Sequence, residues 1–237
     1  MKVKQGIVAI AIGLWLAGLL VSPAAMAVEL DFNISAPTSG TISYAGGVAP
    51  LIGSNIEVDN VVGLSTPANA NVTALCVSCA LNFSTGTLTG AGGPNQNNSG
   101  WWAFGSGGTI TITGGVQLQG SADIPLGSTL LTGGFNSASV QDLGVQGFKV
   151  TFGTFNDTKN PTLLSYFGLT PGTPFQGALT LLFGSTDSGV GSAFTSTSVF
   201  SGNVVNAAVV PLPGALLLFG SGLVGLAGAL RKNLSPA

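Results

Sequence analysis

The chain has no histidine in its 237 residues, and its single arginine, Arg231, stands six residues from the end. Those two absences remove the Ser-His-Asp triad, histidine-ligated zinc and most general-base chemistry near neutral pH. Charge of either sign is scarce. Between Val28 and Val210 only Lys149 and Lys159 are cationic, against Glu29, Asp31, Glu57, Asp59, Asp123, Asp142, Asp157 and Asp187, a net charge of −6. Nucleic-acid phosphates need several clustered cations, so nucleic-acid binding is excluded, and attraction to anionic lipid fails for the same reason. Disorder also needs high net charge and low hydrophobicity, whereas 45% of the whole chain is hydrophobic and this segment's charges are few. The segment is expected to fold as one domain.

Cysteine is nearly absent too. Cys76 and Cys79 are the only pair, and no other cysteine or histidine could complete a metal site with them. In an exported chain the expected reading is a structural disulfide pinning a tight loop, since the flanking segments look strand-like and not like the helix start that a redox pair needs.

What the chain has in abundance is period-2 alternation broken by glycine and asparagine. Thr109-Ile110-Thr111-Ile112-Thr113 puts two isoleucines on one face and three threonines on the other. Further strands are expected at Glu29 to Ile34, Thr41 to Tyr44, Asn55 to Val62, Leu81 to Leu88, Trp101 to Phe104, Val116 to Gln119, Thr129 to Phe135, Phe148 to Phe155, Gly177 to Phe183 and Thr195 to Val205. Turn signals such as Gly46-Gly47, Gly107-Gly108, Gly114-Gly115 and Pro171-Gly172 separate them. The expected fold is all-β, an antiparallel β-sandwich of jelly-roll type, with an irregular β-solenoid as the alternative because Gly-Thr-x-Thr echoes recur at uneven intervals. One short helix is expected at Pro161 to Phe167, capped by Asn160.

The two ends are different. Lysines in the first four residues, an apolar run from Gly6 to Val21 and the Ala25-Met26-Ala27 site read as a signal peptide over 1–27, cleaved after Ala27. At the other end Val210-Pro211-Leu212-Pro213 leads into 17 uncharged residues, Gly214 to Leu230, closed by Arg231 and Lys232. Such a helix is about 25 Å long, just enough to cross a bilayer, and the basic pair places the tail's end inside. The division is therefore 1–27, a β-rich extracytoplasmic domain over 28–208, and a tail over 209–237 with its membrane helix at 214–230.

A signal peptide combined with Pro-x-Pro, a Gly/Leu-rich helix and a basic stop resembles the PEP-CTERM sorting signal, here in a Val-Pro-Leu-Pro form with Leu212 in place of the usual glutamate. The resemblance implies bacterial export, transient anchoring in the inner membrane and processing by an exosortase-type membrane protease. It also implies a final place at the cell surface, outer membrane or extracellular matrix, in organisms that make exopolysaccharide and biofilm.

Binding candidates are few. Trp101-Trp102 follow the polar loop Asn95 to Gly100, and an indole with amides beside it suits a sugar face; alternation predicts one tryptophan in the core and one outside. Asn156, Asp157, Thr158 and Asn160 gather oxygen donors that could hold a structural calcium. The pairs Glu29/Asp31 and Glu57/Asp59 each point to one side of a strand, about 7 Å apart, a spacing that neither supports nor excludes a catalytic pair; their bland role is surface solubility, and a glycan-acting enzyme is the least favoured function. No catalytic residue or cofactor is expected. The function expected is a non-catalytic structural or adhesive one, with an exopolysaccharide-binding module as the alternative. Strands with few guarding lysines or prolines also leave self-association open.

Overall fold

The computed structural model describes residues 27–93, 100–144, 147–153, 155–185 and 191–209. Ala25, Val210 to Pro213, the span 214–230, Arg231 and Lys232 lie outside these residues, as does most of the loop that precedes Trp101. Among the described residues no helix is long and apolar enough to cross a membrane.

Twelve strands form one antiparallel sheet: β1 (Glu29–Ile34), β2 (Thr41–Tyr44), β3 (Pro50–Leu64), β4 (Thr73–Gly92), β5 (Trp101–Phe104), β6 (Gly108–Gln117), β7 (Ile124–Phe135), β8 (Ala138–Gly144), β9 (Gly147–Phe152), β10 (Phe155–Lys159), β11 (Phe175–Ser185) and β12 (Phe194–Ala208). Four of these, β3, β4, β11 and β12, each run the length of the sheet alone. The remaining eight lie end to end in pairs, β1 with β2, β5 with β6, β7 with β8 and β9 with β10, because both members of a pair run beside the same long strand or the next broken one. Counted so, eight chain paths run up and down in sequence order. The last path, β12, then pairs with β1 and β2, so the sheet closes on itself.

This connectivity differs from the jelly roll expected from the sequence, which needs Greek-key crossings. Most consecutive strands are joined by short Gly- and Asn-containing turns, and the long connection 160–174 returns through its helix to pair β11 beside β10. The solenoid alternative fails on the same pairings, which are all antiparallel.

Alternation decides what fills the inside. Leu30, Phe32 and Ile34 of β1, or Phe148, Val150 and Phe152 of β9, point inward while their neighbours point out. The apolar side is thus the inner wall, the reverse of a barrel that faces lipid. Side chains of non-adjacent strands meet across the interior, with ring centroids 5.5 Å apart for Tyr44 and Phe104 and 4.8 Å for Phe83 and Phe152. Eight paths leave an interior only as wide as its side chains, and the chain makes room for rings with inward glycines. A Cβ on Gly53 would collide with the Phe83 ring, one on Gly177 with Phe155 and one on Gly63 with Phe167.

The expected helix forms as α1 (Pro161–Tyr166), with the Asn160 side chain accepting from the Thr162 amide at 2.9 Å and the Leu163 amide at 3.4 Å. Its Leu163 and Leu164, and Phe167 just after it, are buried. Held by Ala68 N to Phe167 O (3.1 Å) and Asn69 Nδ2 to Tyr166 O (2.7 Å), α1 lids one pole of the closed sheet. Both described chain ends lie at that pole, where Ala208 N donates to Val28 O at 2.8 Å.

Candidate functional site

Two consecutive residues of β5 take the opposite roles expected of them. Trp102 points inward, 3% exposed, against Phe148 and Phe194. Trp101 points outward and keeps 39% of its surface exposed. Its indole lies along the glycines of the neighbouring strand: a Cβ on Gly90 would stand 3.5 Å from the six-membered ring, and one on Gly92 would collide with the five-membered edge. The two glycines of β4 therefore make the shelf on which this ring can lie.

Register places Gln141 of β8 beside Trp101 and Lys149 of β9 beside Gln141. One row on, Ala103, Ser139 and Thr151 stand in register on the same outer face. At the waist, the chain breaks between β5 and β6, β7 and β8, and β9 and β10 fall at one level. Together they open a groove of ≈ 500 Å³ lined by Thr89, Ala103, Gly105, Ser137, Ser139 and Thr151, among others. Phe104 and Phe152 line it as well, so its walls are mainly apolar with hydroxyls and backbone among them, and no charged group. The Thr89 hydroxyl donates to Ala103 O at 3.1 Å across one wall. Sequence reading found Trp101 but missed this groove, because it missed β8 altogether; the signal available was the alternation of Ala138, Val140 and their polar neighbours.

The carboxylates are elsewhere. Glu29 and Asp31 on β1 and Glu57 and Asp59 on β3 face outward on the far side of the closed sheet, two adjacent paths roughly opposite β8 and β9. They do not line the waist groove. Asp59 accepts from the Ser35 amide at 2.7 Å and Glu57 from the Ser39 hydroxyl at 3.3 Å, so both acids fasten the link between β1 and β2. Burial beside the sheet pushes the Asp31 carboxyl up, against a hydrogen bond with Asn203 and with help from Glu29.

The donors considered for calcium do not converge. Alternation along β10 turns Asn156 and Thr158 outward and Asp157 inward, and Asn160 is spent on capping α1. Asp157 instead forms a fully buried ion pair with Lys159, whose ammonium also sits 3.8 Å from the centre of the Phe175 ring. Burial pushes the Asp157 carboxyl up and pulls the Lys159 ammonium down to about 8, each opposed by its partner's charge. No group of three or more His, Cys, Asp or Glu side chains among the described residues could hold a metal.

Cys76 and Cys79 form the expected disulfide, their Cα atoms 5.5 Å apart. It spans a bulge in β4: the register slips opposite both β3 and β6 here, and Ser78 takes a left-handed φ of 52°. Cys79 is buried and its Sγ lies 3.2 Å from Gly115 O, so the bond belongs to the wall and not to an accessible thiol site.

Comparison of the chain with protein-family models, with curated proteins and with solved structures finds no match. Function rests on the geometry above and on the two terminal segments.

Proposed function

We propose that this is an exported protein whose closed β-domain serves a structural or adhesive, non-catalytic role at the cell surface or in the extracellular matrix. The terminal segments deliver it: a signal peptide over 1–27, and a PEP-CTERM-like tail with Val210, Pro211, Leu212 and Pro213 ahead of the membrane helix 214–230 and Arg231-Lys232. An exosortase-type protease is the processing partner. Packing of the closed sheet as two face-to-face layers, in the manner of a sandwich, belongs to the same reading.

The observation that carries this reading is the hydrogen bond between Val28 and Ala208. It puts the two points where the targeting segments join the domain side by side at one pole. Both targeting segments thus join the domain at one pole, which suits engagement of a single membrane.

Intact-mass analysis and fractionation of the protein made in its own host test it. A mature chain that begins at Val28, has lost the membrane helix and is found beyond the inner membrane is the expected result. A chain that keeps 214–230 and stays in the inner-membrane fraction would overturn the sorting part. An unprocessed chain in the cytoplasm would overturn the whole.

A second reading, a polysaccharide-binding module, is favoured by one observation: Trp101 lies against Gly90 and Gly92 and stays partly exposed next to an uncharged, mainly apolar groove that carries the hydroxyls of Thr89, Ser137, Ser139 and Thr151.

A further inference from the structure

We propose that the outer face formed by β5, β8 and β9, with the waist groove beneath it, binds a segment of an uncharged polysaccharide chain, Trp101 stacking on one sugar ring and Gln141, Ser139 and Thr151 bonding the hydroxyls of the next. The inference rests on the polysaccharide-binding reading and adds to it the place and the ligand chemistry.

The spacing comes from the sheet. Neighbouring strands stand about 4.8 Å apart, so the row Trp101, Gln141, Lys149 spreads an aromatic platform, an amide and an ammonium over roughly 10 Å. The parallel row Ala103, Ser139, Thr151 lies one pleat nearer the groove and adds two hydroxyls without bulk. A sugar ring offers an apolar face for the indole and a rim of hydroxyls that both donate and accept, and a surface of amide, hydroxyl and backbone answers that rim.

Charge selects among polysaccharides. The outward positions of this face carry no carboxylate among the described residues, because Asp142 follows Gln141 and so stands on the other side of β8. They carry one cation, Lys149. A polyanion would find a single ammonium on a domain whose net charge is −6, and acids concentrated on the opposite face. A neutral chain incurs no such repulsion, and for it Lys149 is one more hydrogen-bond donor.

The test uses the full-length protein in mild detergent, run in native affinity gels cast with hydroxyethyl cellulose, dextran or polygalacturonate, with tryptophan fluorescence as the second readout. Retardation by a neutral polymer, unchanged between 20 and 300 mM salt (values on the order of the usual low and high ionic strengths), is expected. Trp101→Ala should weaken it at least tenfold, Trp101→Phe should restore most of it, and Gln141→Ala should cost about threefold. Glu57→Gln and Asp59→Asn on the opposite face should leave it unchanged. Neutral-polymer binding that survives Trp101→Ala would overturn the location while leaving the polysaccharide reading standing. Binding to polygalacturonate alone, lost with salt, would overturn the ligand class. Wild-type protein that binds none of the three polymers would overturn both this proposal and the polysaccharide reading, and would leave the sorting reading to its own fractionation test.

Discussion

The two halves of the closed sheet are filled differently. The half away from the chain ends is aromatic: Phe194 meets Tyr44, Trp102, Phe148 and Phe183 at centroid separations of 5.9, 5.8, 6.0 and 5.8 Å, three of the rings being nearly parallel. The half near the chain ends mixes aliphatic side chains with the rings of Phe32, Phe167 and Phe175, carries the lid α1 and encloses the Asp157–Lys159 pair and Asn206, which is wholly buried with its amide donating to Leu30 O and Val204 O. One half gains from area removed from water; the other sets that gain against the desolvation of charge. The same alternating wall thus admits buried polar groups whose hydrogen bonding is incomplete, since Asp157 Oδ2, Asn206 Oδ1 and Trp102 Nε1 have no protein partner among the described residues, and an arrangement of that kind is specific before it is stabilising.

The largest effect should come from the hub of the aromatic half. Phe194→Ala removes a ring that four others touch, and rigid neighbours cannot collapse into the gap, so about 4 kcal/mol of stability should go. Urea unfolding followed by tryptophan fluorescence measures it directly, because Trp102 is one of the rings that loses its neighbour. A loss below about 1 kcal/mol would mean that the rings repack and that the two halves differ less than their contents suggest.

Next is the ion pair. Lys159→Met leaves Asp157 buried without its partner and should cost about 3 kcal/mol, whereas Asp157→Leu combined with Lys159→Met should recover most of that or exceed the wild type. If the double variant is as unstable as the single one, the pair contributes net stability and the contrast between the halves disappears.

The same pair sets an unusual pH dependence. Lys159 releases its proton near pH 8 in the folded chain but near 10.5 when unfolded. Between those values the unfolded chain binds more protons, so stability rises with pH. Asp157 is shifted the other way: its folded carboxyl holds a proton to higher pH than the ordinary 3.8. As pH falls through the folded value toward 3.8 the folded chain binds more protons and gains stability, and Asp31 acts in the same direction. The expected outcome is a urea midpoint that climbs from pH 8 to 9.5 and holds or rises from pH 6 to 4, with both trends reduced in the double variant. Tyr44, whose hydroxyl pKa burial raises, turns the curve down above pH 10. A midpoint that falls steadily with acid would show that the buried groups do not govern the profile.

These contrasts mark how far the sequence could be read. Alternation located β1, β2 and β5 to the residue and most of the longer strands in part, because a wall wet on one side and dry on the other leaves that pattern directly. It ran β9 on to Phe155 and read the rest of β10 as a turn, since Asn156, Asp157 and Thr158 carry the composition of a loop although they stand in a strand. It lost β8, where Ala138 and Val140 are the inward residues and small side chains give weak contrast. Closure was not legible, because pairing between β1 and β12 is a relation across the whole chain; with it goes the argument that unguarded edges invite self-association, as each described strand has neighbours on both sides. At the site, the split between Trp101 and Trp102 followed from period 2, while the Gly90–Gly92 shelf depended on register.

The smallest effect tests whether the wall near the chain ends needs its covalent clip. Cys76 and Cys79 close a loop of just four residues, for which chain entropy alone allows about 2 kcal/mol. The bulge already has support without the bond: Cys79 is buried, and Gly114 of β6 leaves it room that any Cβ would take, since an added one would stand 2.6 Å from the Cys79 Cα. Cys76→Ser with Cys79→Ser should therefore lower stability by at most about 2 kcal/mol, with the strand content seen by circular dichroism unchanged, and reducing the wild-type protein should produce the same loss. Collapse of the fold in both cases would mean that the bulge, and with it the register of β3 and β6 against β4, is held by the disulfide and not by the packing of the wall.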